Sequence, residues 1–119
     1  MTRLSERQAR QLNIIPAPQA QAKQPAKAPP VKESDIQRQI KEYLQWQGWY
    51  VVKIHQSLGS HKGIADLYAI REGRSVWIEV KTAIGRLSKD QEKYRAEIEA
   101  QGGEYYVMRS VEDVEILKR

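Results

Sequence analysis

Proline is kept apart from glycine and the aromatic residues in this chain, and that separation limits where a fold can form. All five prolines (Pro16, Pro18, Pro25, Pro29, Pro30) lie in the first 30 residues among Ala, Gln and Lys, while all seven glycines, three tryptophans and six tyrosines follow residue 42. Residues 16–32 read as an extended, disordered linker, too poor in apolar surface to offset the entropy of ordering. Ahead of it, Ser5-Glu6-Arg7-Gln8 has the pattern of a capping box for a short helix ending near Ile14-Ile15, or of a polar segment that frays without a partner. The expected parts are a tail, 1–32, and one folded domain, 33–119.

Charge divides at the same place. Six Lys/Arg (Arg3, Arg7, Arg10, Lys23, Lys27, Lys32) face Glu6 alone in residues 1–32, which accounts for the whole net charge of +5 and leaves the remainder neutral. A basic arm favours polyanions or a protein partner without specifying chemistry. With no cysteine, disulfides and thiolate metal sites are excluded. His55 and His61 lack a zinc spacing. No apolar run approaches the roughly 18 residues of a membrane span, and the charged start is not a secretory signal, so a cytoplasmic protein without membrane contact is expected.

Within the domain, Ile36, Ile40 and Leu44 recur at helical spacing, which predicts a helix over 34–47 ended by Gly48. Ser34-Asp35-Ile36-Gln37 reads as its capping box. Residues 49–54, 64–70 and 75–81 have strand composition, the last two separated by the turn signal Arg71-Glu72-Gly73-Arg74. Ser88-x-x-Gln91 is a second capping box, opening a helix that stops at Gly102-Gly103. Residues 105–108 predict a fourth strand, and Ser110 caps a last short helix through Leu117. The order is α-β-β-β-α-β-α on about 87 residues, enough for one sheet with a helix on each side.

Two stretches carry the chemistry: Lys62-Gly63-Ile64-Ala65-Asp66-Leu67 and Trp77-Ile78-Glu79-Val80-Lys81. If Glu72-Gly73 is a two-residue hairpin loop, opposed residues have numbers summing to about 145, and Asp66 then faces Glu79 directly. Lys81 shares that sheet face, whereas Val76, Ile78 and Val80 point the other way. Directly opposed carboxylates repel unless a cation bridges them, and a hard divalent ion such as Mg2+ suits the pair. A lysine alongside can orient the attacking water and offset charge on a phosphate. Taken singly, a Glu-x-Lys triplet is more often a surface ion pair and a lone Asp more often a turn residue. Both in register, among Trp77, Ile78 and Val80, point to a site.

This ordered set, with Glu33 on the first helix and Gln91 on the second, resembles the PD-(D/E)xK nuclease superfamily, and within it the virus-type replication-repair nuclease (VRR-NUC) domain, over about residues 33–109. The resemblance implies a restriction-endonuclease-like α/β core, α-β-β-β-α-β with a further helix, in which one mixed four-stranded sheet is flanked by helices. It implies metal ligation by Glu33, Asp66, Glu79 and the Val80 carbonyl, a catalytic set of Asp66, Glu79, Lys81 and Gln91, and Mg2+ as cofactor with Mn2+ as a substitute. It further implies DNA endonuclease activity in which magnesium-activated water attacks phosphorus in line and leaves a 5′-phosphate. A branched substrate and a homodimer, as in Holliday-junction resolvases, follow from the same resemblance. Glu33 also has a plain reading as a surface glutamate outside the first turn, and Gln91 as a cap alone.

Further nucleic-acid contacts are expected from Lys53, from Lys62 and Gly63 in the loop entering the Asp66 strand, and from Arg86 and Lys89 at the second helix start, where anions bind readily. Tyr68, opposite Trp77 in the same register, belongs to the core. The rival readings are the same chemistry on flap or nicked DNA or on RNA, a non-catalytic nucleic-acid-binding module, and an interaction protein whose tail recruits a partner.

Overall fold

A computed structural model of the chain describes residues 31–57 and 60–118; residues 1–30 of the expected tail, with its short helix, lie outside these residues. Val31 to Arg119 form one compact unit. In chain order it contains α1 (Glu33–Trp46), β1 (Tyr50–Lys53), β2 (Leu67–Arg71), β3 (Arg74–Val80), α2 (Lys89–Ala100), β4 (Glu104–Met108) and a closing 3-10 helix, Val111–Lys118. The strands lie in the order β1-β2-β3-β4. The first two pairings are antiparallel and the β3–β4 pairing is parallel, so the sheet is mixed. A parallel neighbour needs a crossover, and α2 supplies it.

The hairpin has the expected two-residue loop. Glu72 (φ 51°) and Gly73 (φ 83°) both sit in the left-handed region, as a type I′ turn requires. Arg71 pairs with Arg74, Tyr68 with Trp77 and Leu67 with Ile78. Tyr68 and Trp77 rings pack 4.6 Å apart between centroids.

Strand alternation sorts the side chains into two clusters. Leu67, Ala69, Val76, Ile78, Val80 and Met108 pack with Ile36, Ile40 and Leu44 of α1 and with Val114 and Leu117 of the 3-10 helix. On the opposite face Ala65, Tyr94 and Tyr105 are buried, with Trp77, Ile98 and Val107 against them, beneath α2. Each large aliphatic side chain fully buried in the first cluster contributes about 1.5–3 kcal/mol.

Three boundaries differ from the sequence expectation. The Ser34 capping box does not form: the helix starts at Glu33, and Lys32 stands at its N-cap without a side-chain cap. Instead the Lys32 carbonyl accepts from the amides of Asp35 and Ile36. Glu33 and Asp35 occupy the first turn, where the helix dipole favours negative charge. Strand β2 begins at Leu67 rather than residue 64, because the chain turns at Gly63 (φ 74°) and the His61 carbonyl accepts from Ile64. The last element is 3-10 rather than α, opened by the Ser110 carbonyl accepting from Asp113. The second capping box forms as expected, with reciprocal bonds between Ser88 and Gln91.

The hairpin end of the sheet is tied by Arg74. Its Nε and Nη2 donate to the Glu104 carboxylate at 2.9 and 2.7 Å, and Nη1 donates to the Leu117 carbonyl. One guanidinium thereby joins β3, β4 and the end of the 3-10 helix, stacked 6.0 Å from the Trp49 ring. Arg74→Ala should lower stability by about 2 kcal/mol, the usual scale for lost hydrogen bonds to a charged group, as read by urea denaturation. Unchanged stability would show that water replaces the network without loss.

Candidate active site

Glu79 is the one charged side chain in the core among the described residues, 1% exposed. Alternation along β3 forces this placement: with Val76, Ile78 and Val80 committed to the first cluster, Trp77 and Glu79 must face α2. Asp66 stands one residue before β2, where the register with β3 continues to Glu79. It is held there by its backbone carbonyl, which accepts from Ile54 at 2.8 Å. Its Oδ2 accepts the Val80 amide at 2.8 Å, so a side chain rather than a strand carbonyl takes that N–H.

The two carboxylates are near enough to influence each other's ionisation. Burial pushes the Glu79 carboxyl up to about 8; the neighbouring Asp66 carboxylate pushes the same way, Lys81 opposes them, and Glu33 adds a smaller repulsion. The Lys81 ammonium lies 3.7 Å from Glu79 Oε2, with its side chain 13% exposed. Gln91 Nε2 donates to that same oxygen at 3.0 Å while Gln91 Oε1 accepts the Ser88 amide at 2.8 Å. Capping and orienting thus coexist in one amide. Glu79 Oε1, by contrast, is buried with no hydrogen-bond partner.

That orphaned oxygen is the local feature that a hard cation would fit. A buried, unpaired carboxylate oxygen facing a second carboxylate is costly unless a hard ion binds there. Among the described residues no three His, Cys, Asp or Glu side chains converge as a cage. Asp66 and Glu79, with the Val80 carbonyl and water, would be the donors, a set that fits an ion retaining part of its hydration shell. Glu33, exposed on the first turn of α1, affects Glu79 through its charge.

The remaining expected contacts are distributed over several surfaces. Arg86 and Lys89 are exposed on either side of the Ser88 cap, and Lys62 is exposed in the turn before Gly63. Gly63 has a structural duty: a Cβ there would lie 2.2 Å from the Asp90 carbonyl oxygen, so glycine lets the Asp66 loop sit on the first turn of α2. Lys53 closes β1, exposed, beside Arg38 and Lys41 of α1 in a hollow apart from the Arg86–Lys89 pair.

Three contributors were not visible in the sequence. Gln56 Nε2 donates to the Ile64 carbonyl at 3.0 Å and approaches Asp66 Oδ1 at 3.4 Å, bracing the loop and the ligand together. The Tyr105 hydroxyl is buried and unpartnered, and burial together with the Glu79 charge raises its pKa. Arg109 holds the loop after Lys81 through backbone carbonyls. A glutamine, a tyrosine and an arginine outside any motif give no local signal for such roles.

A mixed sheet with an acid pair and a lysine on one face, backed by a helix glutamine, is the framework of a PD-(D/E)xK nuclease. Residues 29–106 match the family model of the archaeal Holliday junction resolvase (Hjc), and the chain belongs to that family. The fold is also similar to a solved VRR_NUC domain with a TM-score of 0.63 and 24% identity, over 71% of this chain and 91% of that one. No curated protein matches the chain.

Two measurements probe the site. A carboxyl with a raised folded pKa binds its proton more tightly in the folded state. The metal-free protein therefore gains its Glu79 contribution fully below the unfolded value of 4.5 and loses it as pH rises through about 8. Thermal unfolding of metal-free protein should show this fall in the wild type and a flatter profile in Glu79→Gln, with divalent cation reversing the fall only in the wild type. Identical profiles would refute the shifted carboxyl. Separately, Gly63→Ala should cost more than about 1 kcal/mol, since both the positive φ and the Asp90 contact forbid a methyl group; a neutral effect would mean the loop does not rest on α2.

Proposed function

We propose that this protein is a Mg2+-dependent endonuclease that cleaves branched DNA as a homodimer. The observation that carries the reading is the facing pair of Asp66 and Glu79, with Lys81 alongside and Glu79 Oε1 buried without a partner. Family membership supports the nuclease and junction components. A homodimer supplies two sites for two opposed strands, and the sheet face beyond α2, with exposed Tyr50, Val52 and Ile70, offers apolar surface that a second copy would cover.

Asp66, Glu79 and the Val80 carbonyl would hold the ion. When bound, it lowers the pKa of water and neutralises charge on the phosphate. Gln91 and Lys81 both engage Glu79 Oε2, which fixes the carboxylate and leaves Oε1 free for an ion that would bind there. The Val80 amide and Gln56 orient Asp66 in the same way. Lys81 presents its ammonium to the attacking water and to a phosphate oxygen, where it counters the negative charge that builds in the transition state. Water forms the new P–O bond in line as the bond to the 3′ oxygen breaks, yielding a 5′-phosphate and a 3′-hydroxyl. Arg86, Lys89 and Lys62 meet the flanking phosphates.

The test is cleavage of labelled four-way junction, flap, linear duplex and RNA, with Mg2+, Mn2+ or EDTA. Cleavage should require the metal and favour the junction. Asp66→Ala and Lys81→Ala should each reduce it by at least about 100-fold, as loss of one group stabilising transition-state charge does. Full activity in EDTA, or in both variants, would sink the mechanism. Cleavage of RNA or flaps in preference to the junction would reassign the substrate while keeping the chemistry.

A further inference from the structure

Residues 82–88 leave β3 one residue after the Glu79-Val80-Lys81 triplet and end at the Ser88 cap. Both ends of this segment are fixed to the site. Lys81 contacts Glu79 at the first end, and Gln91, bonded to Ser88, contacts it at the second. Between them Thr82 to Gly85 form a tight turn, the Gly85 amide donating to the Thr82 carbonyl at 3.2 Å. Arg109 clamps the turn from below. Its Nη1 donates to the carbonyls of Thr82 at 2.6 Å, Gly85 at 2.7 Å and Ala83 at 3.4 Å. The Arg109 backbone is itself anchored, its amide donating to Asp113 Oδ2 at 2.7 Å.

At the apex of this braced turn stands Ile84, 89% exposed, the most exposed large apolar side chain among the described residues. A mobile loop could fold such a residue away; this turn holds it outward. Exposed Arg86 and Lys89 follow it directly, so the surface around the tip suits a polyanion. The apolar surfaces that a nucleic acid offers are the faces of its bases. These are sealed by stacking in continuous duplex and open where the stack is interrupted.

We propose that Ile84 is a wedge that inserts against the exposed base face at a branch or break in duplex DNA, with Arg86 and Lys89 holding the adjoining phosphates. Apolar side chains used in this way partly unstack a base step and select deformable or interrupted DNA. The braced turn sets the distance from the unstacked base to the acid pair, and so selects which phosphate reaches the metal ligands. This inference rests on the nuclease reading and supplies its structure preference.

The experiment uses full-length protein with two readouts. The first is single-turnover cleavage, in Mg2+, of a four-way junction and a linear duplex sharing the same cut sequence. The second is fluorescence of 2-aminopurine at the branch nucleotide on binding, with EDTA present to prevent cleavage. Ile84→Ala should lower junction cleavage by about tenfold or more while linear cleavage stays within about twofold, and should abolish the fluorescence rise. Ile84→Leu should restore most of both. Unchanged junction preference and fluorescence in Ile84→Ala would overturn the wedge, and so would an equal loss on both substrates, which would place the side chain in the chemistry or the packing. If wild-type protein cleaves nothing in Mg2+, the nuclease reading fails by itself. The fluorescence arm still decides the wedge, since a rise in wild type that Ile84→Ala loses supports it and a rise in both refutes it.

Discussion

The constraint on which the rest of the structure depends is the placement of two carboxylates opposite each other, one of them almost wholly out of water. Glu79 cannot turn away, because the alternation of β3 commits its neighbours to the aliphatic core on the other face. Asp66 cannot recede, because its side chain completes the hydrogen bonding of Val80. Like charges opposed across a sheet and screened from solvent are unfavourable, and the cost is visible in a Glu79 carboxyl raised to about 8. The fold tolerates this through partial neutralisation. Lys81 and Gln91 satisfy one oxygen of Glu79 and leave the other free, the asymmetry expected of a ligand that awaits a cation.

The two faces of the sheet accordingly have different tasks. One is a mostly aliphatic layer under α1 and the 3-10 helix, with no acidic or basic side chain in its cluster. The other mixes Tyr94, Tyr105 and Trp77 with the acid pair, under a helix whose first turn is bonded to the site. The cap of α2 is tied to the acid pair, since the amide that closes the capping box also holds Glu79. Gly63 completes the coupling, bringing the Asp66 loop into contact with the Asp90 carbonyl. Helix, loop and strand meet at one point, and displacement of any of them moves one of the two carboxylates.

Much of this was legible in the sequence, for identifiable reasons. A two-residue loop admits one register, so counting outward from Glu72-Gly73 placed Tyr68 against Trp77 and Asp66 towards Glu79. The Ser88 box was readable because residue types and spacing coincide with the end of a glycine-containing loop. The Ser34 box has the same letters and failed. Its residues lie inside a helix whose extent follows the burial of Ile36, Ile40 and Leu44 and whose first amides bond to the Lys32 carbonyl. A cap worth about 1 kcal/mol does not outweigh that packing. Gln56 and Arg109 were illegible for another reason: each acts through backbone carbonyls, eight residues away for Gln56 and 27 for Arg109, a relation with no periodicity and no motif.

The neutrality of residues 33–119 bears on how such a site recognises its substrate. A domain with no net positive charge gains little from the general attraction that lets basic proteins coat duplex DNA. Its affinity must come from a few phosphate contacts placed near the acid pair and from features that continuous duplex lacks. Arg86 and Lys89 supply local charge beside the helix cap, and the basic tail supplies charge that is sequence-remote from the site. A rigid apolar tip between Lys81 and that cap adds recognition that salt cannot screen. The division lets non-specific attraction reside in one part of the chain and structural discrimination in another. On the proposed function, a neutral nuclease core built this way would gain selectivity by forgoing the affinity for ordinary duplex that would compete with a branched substrate.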